Sequence, residues 1–161
     1  MKNNFFYKSQ FSNIYKKASK NSEVTSQIIY GEKFKILSKN KEWIKIRSSF
    51  DNYIGFIKNE KYTDKHKPSH KVYSLKAKVW STQKKITNEF LPFGSKISII
   101  KESKNLAEFE KNKWVKKYDL KKIDHKEKNF TKIFKLFLKT KYVWGGKTFN
   151  GIDCSALLQL F

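Results

Sequence analysis

Apolar and polar residues alternate in short runs over the first three quarters of this chain, and the period of that alternation changes near its end. Lys33-Phe34-Lys35-Ile36 and Ile44-Lys45-Ile46-Arg47 each place an apolar side chain at every second position. Tyr53-Ile54-Gly55-Phe56-Ile57 is a third β-prone run. Period-two patterning in short pieces predicts small strands with one buried face. The pattern then repeats. Tyr30-Gly31-Glu32-Lys33-Phe34-Lys35-Ile36-Leu37 aligns with Phe93-Gly94-Ser95-Lys96-Ile97-Ser98-Ile99-Ile100, and Trp43-Ile44-Lys45 aligns with Trp114-Val115-Lys116. An all-β repeat of about sixty residues predicts two small barrels in tandem. Trp43 and Trp114 are assigned to their cores.

Between the copies, Thr63-Asp64-Lys65-His66-Lys67-Pro68-Ser69-His70 carries no large apolar side chain and reads as a linker with solvated histidines. After the second copy the period lengthens. Phe130, Ile133, Phe134 and Phe137 fall on one face of an amphipathic helix that Thr140 and Lys141 end. Tyr142-Val143-Trp144-Gly145-Gly146 is a loop, and Asp153 is placed as the N-cap of a second helix beginning at Cys154. The chain thus divides into a first barrel over residues 1–64, a linker at 65–71, a second barrel over 72–124 and a helical segment over 125–161.

Composition changes this picture little. Aromatic residues make up 16% of the chain, enough to fill small cores. The formal charge of +22 points to a polyanion partner, but Arg47 is the single arginine and the lysines are spread along the chain. Base-reading surfaces favour the arginine fork, so background lysine usage is favoured over a specific nucleic-acid site. One cysteine allows no intrachain disulfide. Neither a signal-peptide run nor a membrane-span run is visible, which points to the cytoplasm, or to a secreted or periplasmic place if a leader is missing.

The lone cysteine sits where chemistry is available. Free backbone N–H groups at a helix start favour thiolate over thiol and can hold an oxyanion. A buried, inert cysteine is the competing reading. The surrounding motif, Tyr142-x-Trp144-Gly145-Gly146, four residues, then Gly151-x-Asp153-Cys154-Ser155, closely resembles the nucleophile motif of the NlpC (NlpC and p-sixty) cysteine peptidases of peptidoglycan, which are papain-like. The upstream β units resemble the bacterial SH3-like domains that precede that catalytic domain. The implied fold class is a mainly β N-terminal region of two SH3-like barrels followed by the start of an α+β papain-like domain.

The resemblance implies a thiol hydrolase cleaving the γ-D-glutamyl–diamino acid bond of a stem peptide such as L-Ala-γ-D-Glu-diamino acid, with no cofactor and no metal. It places Cys154 as nucleophile, Tyr142 facing it, and Asp153 and Ser155 shaping the pocket. It implies that Glu32 and Tyr53 of the first barrel grip the peptide's amino end. For Glu32 an exposed turn residue, and for Tyr53 a core tyrosine, are the alternatives. The histidine base of such an enzyme has no counterpart downstream of Cys154, and His66, His70 and His125 all lie upstream. The expectation is a fragment, inactive alone, in which Leu157, Leu158 and Phe161 have no core to enter. A second chain is a candidate source of the missing half. A non-catalytic binding module for anionic wall material is the alternative function.

Overall fold

The computed structural model describes residues 4–82 and 85–160. Its first sheet is built from β1 (Asn4–Tyr7), β2 (Phe11–Tyr15), β3 (Val24–Ile29), β4 (Lys33–Lys39), β5 (Trp43–Ser48), β6 (Ile54–Lys58) and β7 (Tyr62–Thr63). Their order is β3-β2-β6-β5-β4-β1-β7, and each neighbouring pair is antiparallel. The predicted alternation governs burial. Phe34, Ile44, Ile46 and Ile57 point inward with Tyr7, Ile14 and Ile28, while Lys33 and Arg47 face out.

The second copy uses β8 (His70–Val72), β9 (Lys76–Trp80), β10 (Ile86–Pro92), β11 (Lys96–Ile97), β12 (Lys101–Glu102), β13 (Leu106–Glu110), β14 (Lys113–Lys116) and β15 (Leu120–Lys122). They form two sheets, β10-β9-β14-β13-β12 and β11-β8-β15. Trp43 and Trp114 are both buried, as the repeat requires. The copies differ where the linker intrudes. His70 and Lys71, read as linker, form β8 and take the backbone groups of β11 and β15. The single long strand β4 of the first copy corresponds in the second to two short strands, β11 and β12.

The two copies meet through their equivalent turns. Gly31 and Gly94 both have positive φ, 76° and 82°. A Cβ on Gly31 would come 1.9 Å from the Lys96 carbonyl oxygen, so only glycine allows this approach. There the Lys96 N–H donates to the Tyr30 carbonyl at 3.0 Å. Tyr30 belongs to the first copy by sequence, yet it is buried in the second copy's core beside Val72, Leu91 and Phe109. Its hydroxyl donates to Glu110 at 2.7 Å and accepts from Lys8.

His66 corrects the reading of the linker histidines as solvated. Its ring lies edge-on to Phe6 and Tyr30, and Nε2 is 3.0 Å from the Lys96 carbonyl oxygen. It pins the linker across both copies.

The helical segment begins with α1 (Phe130–Phe137), capped by the Asn129 side chain, which accepts from the Thr131 N–H. Ile133 and Phe137 are the buried pair; Phe130 is exposed and stacks on Phe134 instead of entering the core. A two-stranded hairpin, β16 (Lys147–Thr148) and β17 (Gly151–Ile152), leads to α2 (Cys154–Gln159). Alone, a helix of six residues would be marginal. Here Leu157 and Leu160 pack on a cluster of Phe93, Ile133, Phe137, Ile152 and Ala156, so the expectation of no core for α2 is wrong for Leu157. The second barrel and α1 supply that core. Leu158 remains exposed, and Phe161 lies outside the described residues. No helix among the described residues is long and apolar enough to cross a membrane.

Burial pushes the His66 imidazole below its ordinary value, as does the Lys8 charge, against the opposing hydrogen bond to Lys96. The folded chain then takes up this proton at lower pH than the unfolded chain does. Stability is expected to fall as pH drops from about 7 through the unfolded histidine's ordinary range near 6.5, where the unfolded chain binds a proton that the folded one does not yet bind. Urea unfolding across that range measures it, and the decline should be shallower in His66→Gln.

Candidate functional site

The site is the turn that delivers Cys154. Its two halves are stitched by backbone bonds. Val143 N–H donates to the Ile152 carbonyl at 3.2 Å, Ile152 N–H to Lys141 at 3.1 Å, and Gly146 N–H to Val143 at 2.9 Å. Tyr142 and Ile152 form an isolated parallel bridge, which brings Tyr142 beside the strand that ends two residues before Cys154. Gly145 has φ of 68°, and a Cβ there would sit 2.9 Å from the Val24 carbonyl oxygen. The loop therefore lies flush on the backbone of β3 because it has no side chain at that point.

Asp153 is the hub. Its Oδ1 accepts from the Ala156 N–H at 2.7 Å and from the Ser155 hydroxyl at 2.8 Å. Its Oδ2 accepts from the Gly145 N–H at 3.1 Å, and its own N–H donates to the Gly146 carbonyl at 3.0 Å. The predicted N-cap is present, and the same carboxylate also closes the loop. Asp153 and Ser155 thus shape the turn through each other. Cys154, the first residue of α2, is a free thiol that is exposed and not buried. Tyr142 and Trp144 beside it are also open to solvent, at 63% and 65% exposure.

The first barrel touches this turn through a residue the sequence reading did not single out. Lys147 is buried, and its Nζ lies 2.8 Å from Glu32 Oε1 and 3.0 Å from Glu32 Oε2. Asp51 Oδ2 is 3.8 Å away, and the Phe50 ring centroid is 4.6 Å from the same ammonium. Asp51 is itself held by the Ser26 hydroxyl at 2.9 Å. The backbone N–H of Lys147 donates to Gln27 Oε1 at 2.8 Å. A buried carboxylate and a buried ammonium each cost several kcal/mol unless paired, and removing one partner of such a pair costs about 3–5 kcal/mol.

This arrangement places the two first-barrel residues differently from expectation. Glu32 is not an exposed turn residue: it is 4% exposed, both its oxygens face Lys147, and Oε2 also accepts from the Ile29 N–H at 2.9 Å. Its carboxylate already has an internal cation. Tyr53 is not a core tyrosine but stands exposed on the turn between β5 and β6, two residues from Asp51. Its N–H donates to Asp51 Oδ1 at 3.3 Å. The structure thus brings Glu32 and the Tyr53 turn to the Lys147 cluster, and Tyr142, Asp153 and Ser155 to Cys154.

No histidine completes the constellation among the described residues. His66 is committed to Lys96, and His70 Nδ1 faces the Ser69 hydroxyl at 2.9 Å. His125 lies edge-on to Tyr73, with Nε2 4.0 Å from Glu127.

Comparison with known proteins bears on these elements. Residues 14–61 match the bacterial dipeptidyl-peptidase SH3 domain family. No curated protein matches the chain in sequence. Among solved structures, an NlpC/P60 family protein from Bacillus cereus superposes with a TM-score of 0.79 at 13% identity, over 98% of this chain and 71% of that one. The protein called NlpC2 from Trichomonas vaginalis aligns over 99% of this chain and 65% of that one at 14% identity, with a TM-score of 0.35 that carries no argument. The chain has the fold of an NlpC-type protein with a bacterial SH3 domain on its N-terminal side.

Replacing Asp153 by Ala removes the α2 cap and the tie to Gly145 together. It should destabilise the chain by about 1–2 kcal/mol in chemical unfolding, with Asp153→Asn costing less. An unchanged unfolding midpoint in Asp153→Ala would show that the carboxylate does not organise the turn.

Proposed function

We propose that this chain carries the nucleophile side of a thiol peptidase acting on peptidoglycan stem peptides, at the bond between γ-D-glutamate and the following diamino acid. The observation that carries this reading is Cys154, an exposed free thiol at the head of a helix. Asp153 locks the preceding turn, and the whole turn is set in a fold shared with an NlpC/P60 protein. In this reading the Cys154 sulfur attacks the γ-glutamyl carbonyl carbon. The carbonyl π electrons move to oxygen, and backbone N–H groups near Cys154 receive the oxyanion. Collapse of the intermediate expels the amine of the diamino acid, which leaves with a proton, and water then hydrolyses the acyl-enzyme.

Both proton movements need a base. No hydrogen bond or ion pair ties a described histidine to Cys154, so the base is assigned to residues outside these 161, in the same protein or in a second chain. Tyr142 and Trp144, both exposed in the loop that leads to the thiol, are the side chains on which the peptide would lie. Because Glu32 already holds Lys147, the exposed Tyr53 is the first-barrel residue left available to the peptide's amino end.

Two measurements test the reading. The 161-residue chain alone should not turn over L-Ala-γ-D-Glu-diaminopimelate; steady release of the diamino acid would contradict the assignment of the base. An L-Ala-γ-D-Glu chloromethyl ketone, from which the thiolate displaces chloride, should label Cys154 on the order of tenfold faster than a simple chloromethyl ketone, because the peptide positions the electrophile. Equal rates would remove the peptide-site assignment.

A further inference from the structure

We propose that Lys147 is the positioning residue of the nucleophile turn: its buried ion pair with Glu32 sets where Cys154 stands relative to the first barrel. The inference rests on Cys154 being the reactive thiol, and it concerns how that thiol is held.

Three observations carry it. First, Lys147 lies in the hairpin that delivers the nucleophile. It pairs with Ile152 across β16 and β17, and Ile152 is two residues before Cys154. Second, among the described residues the ammonium is held from the first barrel. Its contacts are Glu32, Asp51 and the Phe50 ring, and its backbone N–H goes to Gln27. Gln27 is fixed in turn by Asn13, whose Oδ1 accepts from Gln27 Nε2 at 2.9 Å. Third, the hairpin's other side-chain hold on the barrels is at the Phe149 ring, over which Lys76 Nζ lies 5.2 Å from the centroid. Phe149 sits between Phe11 and Phe90, each ring centroid 6.0 Å from its own. Aromatic packing of this kind holds the hairpin down but tolerates sliding. A bidentate contact inside a dry pocket does not, since any shift leaves charges unpaired.

The cluster is also unbalanced, with one ammonium facing two carboxylates whose side chains are each about as buried as its own. Moving the lysine out would strand both. The first barrel is therefore a jig for the turn as well as a neighbour of it.

The chain's single cysteine allows a direct test. Nitroxide labels are placed on Cys154 and on a second cysteine introduced at exposed Lys20 (Lys20→Cys), and their separation is read by pulsed electron paramagnetic resonance in the full chain. With Lys147 present, one narrow distance population is expected. In Lys147→Met the distribution should become at least about twofold broader.

Because that variant buries two unpaired carboxylates and may not fold, the same measurement is made in Lys147→Met combined with Glu32→Gln. This pair removes the Glu32 charge, leaves Asp51 as the one carboxylate without its cation, and is expected to recover part of the unfolding midpoint. A broad distribution in a double variant whose midpoint is recovered in part supports positioning. A narrow one overturns it. A broad one with a lost midpoint also overturns it, by assigning Lys147 an ordinary structural role. The outcome is independent of the peptide-directed labelling of Cys154, so failure of the positioning role and failure of the peptidase reading are told apart.

Discussion

One buried ammonium governs how this chain is assembled. Lys147 belongs to the hairpin that leads to Cys154, yet the carboxylates that neutralise it among the described residues, Glu32 and Asp51, belong to the first barrel more than ninety residues earlier. A charge out of water has to find its partner or the fold does not form. The hairpin is thereby required to dock on β3 and on the turn after β5. The glycine at 145 makes the backbone approach sterically possible, and Phe149 fills the seam between the two barrels. The two barrels in turn are joined at their equivalent glycine turns through Tyr30 and Lys96. The second barrel supplies Phe93 as the floor on which α1 and α2 meet.

From that assembly follows the state of the site. Asp153 spends its carboxylate on holding the loop and capping α2, which leaves Cys154 presented to solvent with Tyr142 and Trp144 beside it. Of the described histidines, His66 and His70 are hydrogen-bonded, while His125 lies edge-on to Tyr73 with its Nε2 buried and without a hydrogen-bond partner. The chain spans 71% of the Bacillus cereus protein that shares its fold. The geometry supplies an exposed thiol on a shaped turn, with two exposed aromatic side chains in the loop that leads to it.

Much of this was legible in the residues. The alternation in Lys33–Ile36 and Ile44–Arg47, the paired glycine turns and the paired tryptophans announced two related β units. The Asp-Cys-Ser run announced the capped helix. Three things were hidden, each for a physical reason. Lys147 is one lysine in a chain carrying 36 basic residues, and nothing local marks the one whose partners are distant in sequence. His66 sits in a stretch polar enough to read as solvated, and its burial is decided by Phe6 and Tyr30 from other elements. The core under α2 comes from Phe93, Ile133 and Phe137, none of them close to the helix in the chain. Periodicity reports which side of an element is apolar; it does not report what that side meets. Phe130 illustrates the limit, since it keeps the helical spacing and still faces water.

The ion pair itself can be observed without perturbing the protein. Nuclear magnetic resonance of the lysine ammonium groups should show one Nζ, that of Lys147, with protons that exchange slowly with water and a through-hydrogen-bond coupling to the Glu32 carboxylate carbon. A Lys147 ammonium that exchanges as fast as the exposed lysines, with no coupling to Glu32, would contradict the account at its root.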